Sequence, residues 1–89
     1  MNLTKQAKRY KLLGTPVRLG IVKLLLWFDD ELCATMIGGS IESNISQPTL
    51  SQQLKLLLDG GILKKRREGK HVYYRLAKSE WKTLNDITN

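Results

Sequence analysis

The chain has 89 residues, with 15 Lys/Arg against 8 Asp/Glu, a net charge of +7, one histidine and one cysteine. This length suits one domain over residues 1–89; folding hides only about 60–65% of such a chain's surface, so a partner subunit would add stability. A lone cysteine excludes an intrachain disulfide and fits a reducing, cytoplasmic setting, and no apolar run is long enough to span a membrane.

The basic balance favours an anionic partner, nucleic acid first. It is unevenly spread: residues 1–28 carry six Lys/Arg and no acid, residues 60–78 carry seven with Glu68 as the only acid, and Asp29, Asp30, Glu31, Glu42 and Asp59 lie between. With one His, one Cys, no glycine-rich phosphate loop and no carboxylates paired for acid-base work, the chain is not expected to be an enzyme.

A first helix is expected from Leu3 to Leu13, with Leu3, Ala7 and Tyr10 on one side and Lys5, Lys8, Arg9 and Lys11 around the rest. Gly14-Thr15-Pro16 then supplies a stop, an N-cap and a first-turn proline, so a second helix begins near Pro16. Val17, Ile21, Leu24, Leu25 and Phe28 share one of its faces, and Leu19, Val22, Leu26 and Trp27 widen it, which makes this helix the expected core. Trp27, Phe28 and Trp81 are read as core or dimer-interface aromatics. A third, poorer helix is expected between Glu31 and Gly39, weakened by about 1 kcal/mol for each glycine in its interior.

The stretch from Ser46 to Gly60 combines an N-capping serine, a first-turn proline, leucines at 50, 54, 57 and 58 on one face and a glycine stop. Thr49, Gln52 and Lys55 point away from the leucines. After Gly60-Gly61 the period changes: Ile62 to Arg67 and His71 to Leu76 flank Glu68-Gly69-Lys70 as two antiparallel strands of a basic hairpin. A short closing helix follows, with Ser79 as N-cap and Trp81, Leu84 and Ile87 on one face. The resulting class is mostly α with a small β-hairpin, in the winged helix-turn-helix order α-α-α-α-β-β-α.

Five blocks, in order, resemble those of ArsR/SmtB-type repressors: Leu12-Leu13-Gly14-Thr15-Pro16-Val17-Arg18, Glu31-Leu32-Cys33, Ser46-Gln47-Pro48-Thr49-Leu50-Ser51-Gln52-Gln53-Leu54, Gly60-Gly61-Ile62-Leu63 and Arg67-Glu68-Gly69-Lys70-His71-Val72-Tyr73-Tyr74. The resemblance implies a homodimer joined through its first and last helices, bound to an inverted repeat in double-stranded DNA and released by an inducer or antagonist of unknown chemistry. It makes Leu3, Ala7, Tyr10, Trp81, Leu84 and Ile87 the candidate dimer contacts. It also matches Arg18 to an arginine early in the family's second helix, where two roles are open, a phosphate contact or a tie between the first helices. The segment between Glu31 and Ser46 is longer than the family's usual spacing.

A helix N-terminus offers free N–H groups to phosphate, and its first turns can reach base edges in the major groove. Gln47, Gln52 and Gln53 each carry the donor and acceptor for a bidentate contact to adenine, and the resemblance adds Thr49 and Ser51 and supports Gln47 and Gln53, the last standing where many relatives have histidine. Ser46, Lys55, Arg66, Arg67, Lys70 and His71 are the candidates for the DNA backbone. The bland alternatives are a solvated helix face for the amides and hydroxyls and an edge-blocking role for the hairpin cations.

Relatives that sense soft metals place two cysteines after Glu-Leu, whereas here Cys33 is followed by Thr35; the last helix, where others bind zinc, has only Glu80 and Asp86 as ligand-type residues. No metal, no other cofactor and no metal response are therefore expected. Cys33 has two readings, a small apolar residue of the third helix or a redox-responsive thiol. The leading function is a dimeric, sequence-specific transcriptional repressor. The competing ones are a winged-helix module that binds protein or RNA and a repressor switched through Cys33.

Overall fold

The computed structural model describes residues 2–41 and 45–88. Its elements are α1 (Leu3–Leu12), α2 (Pro16–Phe28), β1 (Leu32–Cys33), α3 (Ala34–Ser40), α4 (Gln47–Asp59), β2 (Leu63–Glu68), β3 (His71–Leu76) and α5 (Lys78–Thr88). The winged helix-turn-helix order expected from the sequence is present, with one strand more than expected.

Local chemistry accounts for most boundaries. Thr15 is extended and its hydroxyl accepts the Arg18 N–H at 3.3 Å, with Pro16 opening α2 where no intrahelical donor is lost. The helix ends at Asp29, which takes a left-handed conformation with φ 50° while its N–H bonds the Leu25 carbonyl. Aspartate tolerates that region better than most residues. Ser46 caps α4 by accepting the Thr49 N–H at 3.3 Å.

The glycine stop of α4 is shared between two residues. Gly60, expected to end the helix, keeps φ −81°, and Gly61 makes the left-handed turn with φ +78°. The Gly61 N–H then bonds the Leu58 carbonyl and the Ile62 N–H the Leu57 carbonyl, with Ile62 and Leu57 both buried. This is a Schellman ending with its hydrophobic contact. Gly60 serves packing instead: a Cβ there would stand 2.3 Å from Cδ1 of Leu12.

The third helix begins later than expected. Leu32 and Cys33 form β1, paired antiparallel to β3 with Leu32 opposite Tyr74 and Cys33 opposite Tyr73, so the sheet order is β1-β3-β2. Cys33 therefore belongs to a strand and not to the helix interior. The helix itself is only seven residues long and has no side-chain cap. Gly38 has a packing role here, since a Cβ would lie 3.0 Å from Leu50 of α4. The extra length noted before Ser46 falls in part on residues 42–44, outside the described residues.

In the wing, β2 and β3 pair from Leu63↔Leu76 to Glu68↔His71, leaving Gly69 and Lys70 as a two-residue turn. Gly69 has φ +61° and Lys70 is not left-handed, the pattern of a type II′ hairpin. The final helix starts at Lys78, one residue before the serine expected to cap it, and the Glu80 N–H bonds the Ala77 carbonyl. The core gathers Leu13, Ile21, Val22, Leu25, Ile37, Leu50, Leu54, Leu57 and Leu84 with Leu32, Ile62, Leu63 and Leu76 from the sheet side. Trp27 and Phe28 lie outside it, 83% and 51% exposed, because α2 turns Ile21, Val22 and Leu25 inward.

Candidate nucleic-acid interface

The leucines of α4 fix which of its side chains face outward. With Leu50, Leu54 and Leu57 buried, Gln52 falls on the opposite side, and Gln47, Thr49, Ser51 and Lys55 are exposed around it. The cap orders the start of this row, because the Ser46 hydroxyl also donates to Thr49 Oγ1 at 2.9 Å. Lys55 pairs with Asp59 one turn on, at 3.1 Å, and both remain exposed. The first two turns of α4 therefore offer amides and hydroxyls with no acid among them.

Gln53 differs from the other amides. It is half-buried, and its Oε1 accepts from Nη1 of Arg18 at 3.0 Å. The same guanidinium donates from Nε to the Leu12 carbonyl at 2.7 Å. Arg18 thus ties the end of α1 and the middle of α4 to α2, the second of the two roles open for it.

Strand alternation divides the wing cations between two faces. Arg66 shares its face with Tyr73, Glu68 and His71. Its Nε lies 3.1 Å from Glu31 Oε1, its Nη1 2.6 Å from Glu68 Oε2, and its guanidinium 4.8 Å from the Tyr73 ring centroid. The hydrogen bond from Arg66 holds the Glu31 carboxyl below its ordinary pKa, while the two carboxylates raise that of Arg66. Lys65 and Arg67 take the opposite face, the one that carries buried Leu63 and Leu76. Lys65 and Tyr74 line a cleft with Ser51, Lys55, Leu58 and Asp59 of α4. Lys65 was absent from the sequence-based set; alternation from buried Leu63 would have found it once the hairpin register was known. Lys70 and His71 are exposed at the tip, His71 with its ring 6.2 Å from that of Tyr73.

The terminal helices expected to meet a partner present a mixed set. On α1, Leu3 and Tyr10 are 67% and 58% exposed and Ala7 is exposed as well. On α5, Trp81 is partly exposed and Ile87 half-buried. Leu84 is a correction: it is fully buried inside its own chain, so it has no surface to offer a partner. Periodicity also missed what joins the two helices. Arg9, placed on the polar side of α1, is buried, and its Nη2 and Nε lie 2.7 and 2.8 Å from Oε2 of Glu80.

Cys33 is half-buried at the end of β1, and Thr35 is exposed on α3. Soft-metal coordination needs several thiolates, and these residues do not fit such a site. Among the described residues no three His, Cys, Asp or Glu side chains come together as a metal-binding group.

No protein-family model matches the chain. It is 43% identical over 68 residues to the arsenical resistance operon repressor of Escherichia coli K12, an alignment covering 76% of this chain and 56% of that protein. The crystal structure of the transcriptional repressor BigR from Xylella fastidiosa superposes with a TM-score of 0.81 and 35% identity, covering 96% of this chain and 84% of the other. The solution structure of a homodimeric winged helix-turn-helix DNA-binding domain from Mycobacterium bovis, described as a possible ArsR-family regulator, gives a TM-score of 0.80 at 29% identity over 96% and 76% of the two chains. The chain belongs to the ArsR family of winged helix-turn-helix transcriptional regulators. It spans about half the length of the curated relatives it matches, from 38% to 62% for the first three.

Proposed function

We propose that this chain is a sequence-specific DNA-binding repressor that acts in the cytoplasm as a homodimer on an inverted repeat and does not respond to metal. The observation that carries this reading is the capped α4 with Gln47, Thr49, Ser51 and Gln52 exposed and free of acids, beside a wing face bearing Lys65 and Arg67. The amides and hydroxyls contact base edges, and the wing cations contact phosphates. Gln53, bound to Arg18, positions α4 and leaves base reading to the other four.

A homodimer is supported by the exposed apolar residues Leu3, Ala7 and Tyr10 of α1 and Trp81 of α5, and by the homodimeric state of the Mycobacterium bovis relative. Two recognition helices would then lie about one DNA turn apart, near 34–36 Å. The absence of metal control is supported by the single thiol and by the lack of histidine or a third carboxylate beside Glu80 and Asp86 in α5.

The test is fluorescence anisotropy on a genomic site selected by footprinting. A symmetric footprint, a steep fall of affinity with salt and a loss of about 1–3 kcal/mol of sequence preference for Gln52→Ala are expected. An asymmetric half-site footprint, or a salt plot with no slope, would overturn the reading.

A further inference from the structure

On the flank of α4 away from the wing, Lys8, Lys11, Leu12, Arg18, Leu56 and Gly60 line a groove of about 330 Å³ between the end of α1, the start of α2 and the end of α4. Two features build its apolar part. Gly60 has no side chain, which lets Leu12 lie flat against the end of α4, and Leu56 remains 39% exposed although it is a leucine on a packed helix. A volume of this size is at the small end of small-molecule sites.

The rim is cationic and unneutralised. No acid lines the groove, and among the described residues neither the Lys8 nor the Lys11 ammonium has an ion-pair partner. Among the described residues Arg18 is bonded only to neutral acceptors, the Leu12 carbonyl and Gln53 Oε1, so two of its five N–H donors are engaged there. Three cationic side chains thus line a groove completed by Leu12, Leu56 and Gly60, an arrangement complementary to a small anion that carries a hydrocarbon tail.

We propose that this groove binds an amphipathic carboxylate, with the tail on Leu12 and Leu56 over Gly60 and the carboxylate at Lys8, Lys11 and Arg18. A carboxylate is a stronger acceptor for guanidinium than an amide or a peptide carbonyl. Bound side-on through Nε and Nη2, it displaces the Leu12 carbonyl from Nε and draws the guanidinium from Gln53, which loosens the tie that holds α4. Ligand binding and DNA binding then oppose each other, and linkage makes the opposition reciprocal. This second step rests on the DNA-binding reading above; the first does not.

Octanoate is the probe, with acetate as head alone and 1-octanol as tail alone, each titrated by calorimetry into the free protein. Octanoate is expected to saturate one site per chain, and both controls to bind at least about tenfold more weakly, the factor for roughly one lost charge or apolar contact set. Lys8→Ala/Lys11→Ala and Leu56→Gln are each expected to weaken octanoate about tenfold while circular dichroism shows an unchanged fold. In a DNA-binding assay, octanoate is expected to release the parent protein, and Leu56→Gln is expected to need about tenfold more of it for the same release. If octanoate does not saturate, or binds these variants as tightly as the parent, the site is refuted whatever the DNA result. If it binds the groove but DNA affinity is unmoved, the coupling through Arg18 is refuted and the site stands; if no DNA is bound at all, the repressor reading fails and the titration still decides the site. Should the lysine variant instead lose DNA affinity and salt slope without any octanoate binding, the groove is part of the phosphate-contacting face. Should it shift the chain from dimer to monomer without octanoate binding, the groove is a contact between copies. Either result overturns the proposal.

Discussion

Arg9 with Glu80 and Arg66 with Glu31 are the same two side-chain types at similar separations, placed in opposite surroundings. The first pair has side chains 9% exposed on both partners and joins α1 to α5; the second has Arg66 47% exposed and joins the wing to the residue before β1. Arg9 is the only buried residue of α1, so a desolvated charge pair holds that helix together with the packing of Leu12, while its apolar Leu3 and Tyr10 remain outside. Arg66, by contrast, is shared between two carboxylates and lies over Tyr73 where solvent and salt reach it. Burial decides what each pair does. A pair withdrawn from water holds only while both partners are present, whereas an exposed pair is screened and orients side chains more than it stabilises.

The largest effect should come from breaking the buried pair on one side. Glu80→Ala leaves the Arg9 guanidinium uncompensated and is expected to cost about 3–5 kcal/mol in urea unfolding. A loss no larger than that of an ordinary surface substitution would show that water reaches the pair. Replacing both partners, Arg9→Met with Glu80→Leu, should recover the parent's stability to within about 1 kcal/mol, because the desolvation penalty goes with the charges.

The wing supplies the next comparison. Lys65→Ala and Arg67→Ala are each expected to reduce the slope of log K against log salt by about 1, one phosphate contact apiece, with little change in sequence preference. Arg66→Ala should leave that slope nearly unchanged, since Glu31 and Glu68 already hold its charge. If Arg66→Ala moved the slope more than Lys65→Ala, the assignment of wing faces would be reversed.

The smallest effect is a pH dependence. Glu31 has a lowered folded-state pKa through its hydrogen bond from Arg66, so the contribution of this pair is complete above the ordinary carboxylate range and disappears as pH falls through the lowered value. Comparing urea midpoints of the parent and Glu31→Gln should therefore show a small gap at neutral pH that closes in acid. A gap that widened in acid would contradict the sign.

Much of the fold is legible locally. Thr15 and Ser46 cap their helices through bonds to residues three positions on, and the leucine spacing of α4 identifies its buried face. Features that depend on distant partners were missed or misplaced. Leu32 and Cys33 are a strand only because Tyr73 and Tyr74 return beside them, and two residues carry no periodicity of their own. Gly60 could be read as a stop, but its contact with Leu12 of another helix could not. The candidate site divides in the same way: the exposed amides of α4 follow from its pattern, while the binding of Gln53 by Arg18 joins residues 35 positions apart.

By itself, then, the sequence determined the order of the helices and wing, the caps, the leucine face of α4 and the excess of positive charge, all of them properties of neighbouring residues or of composition. Only the tertiary structure decided which charges count. It buried Arg9 against Glu80, neutralised Arg66, turned Lys65 toward α4 and left Lys8 and Lys11 bare beside Leu56. The physical reason is that the effect of a charge is set by its solvent exposure and its partners, and in a folded chain those partners come from far along the sequence.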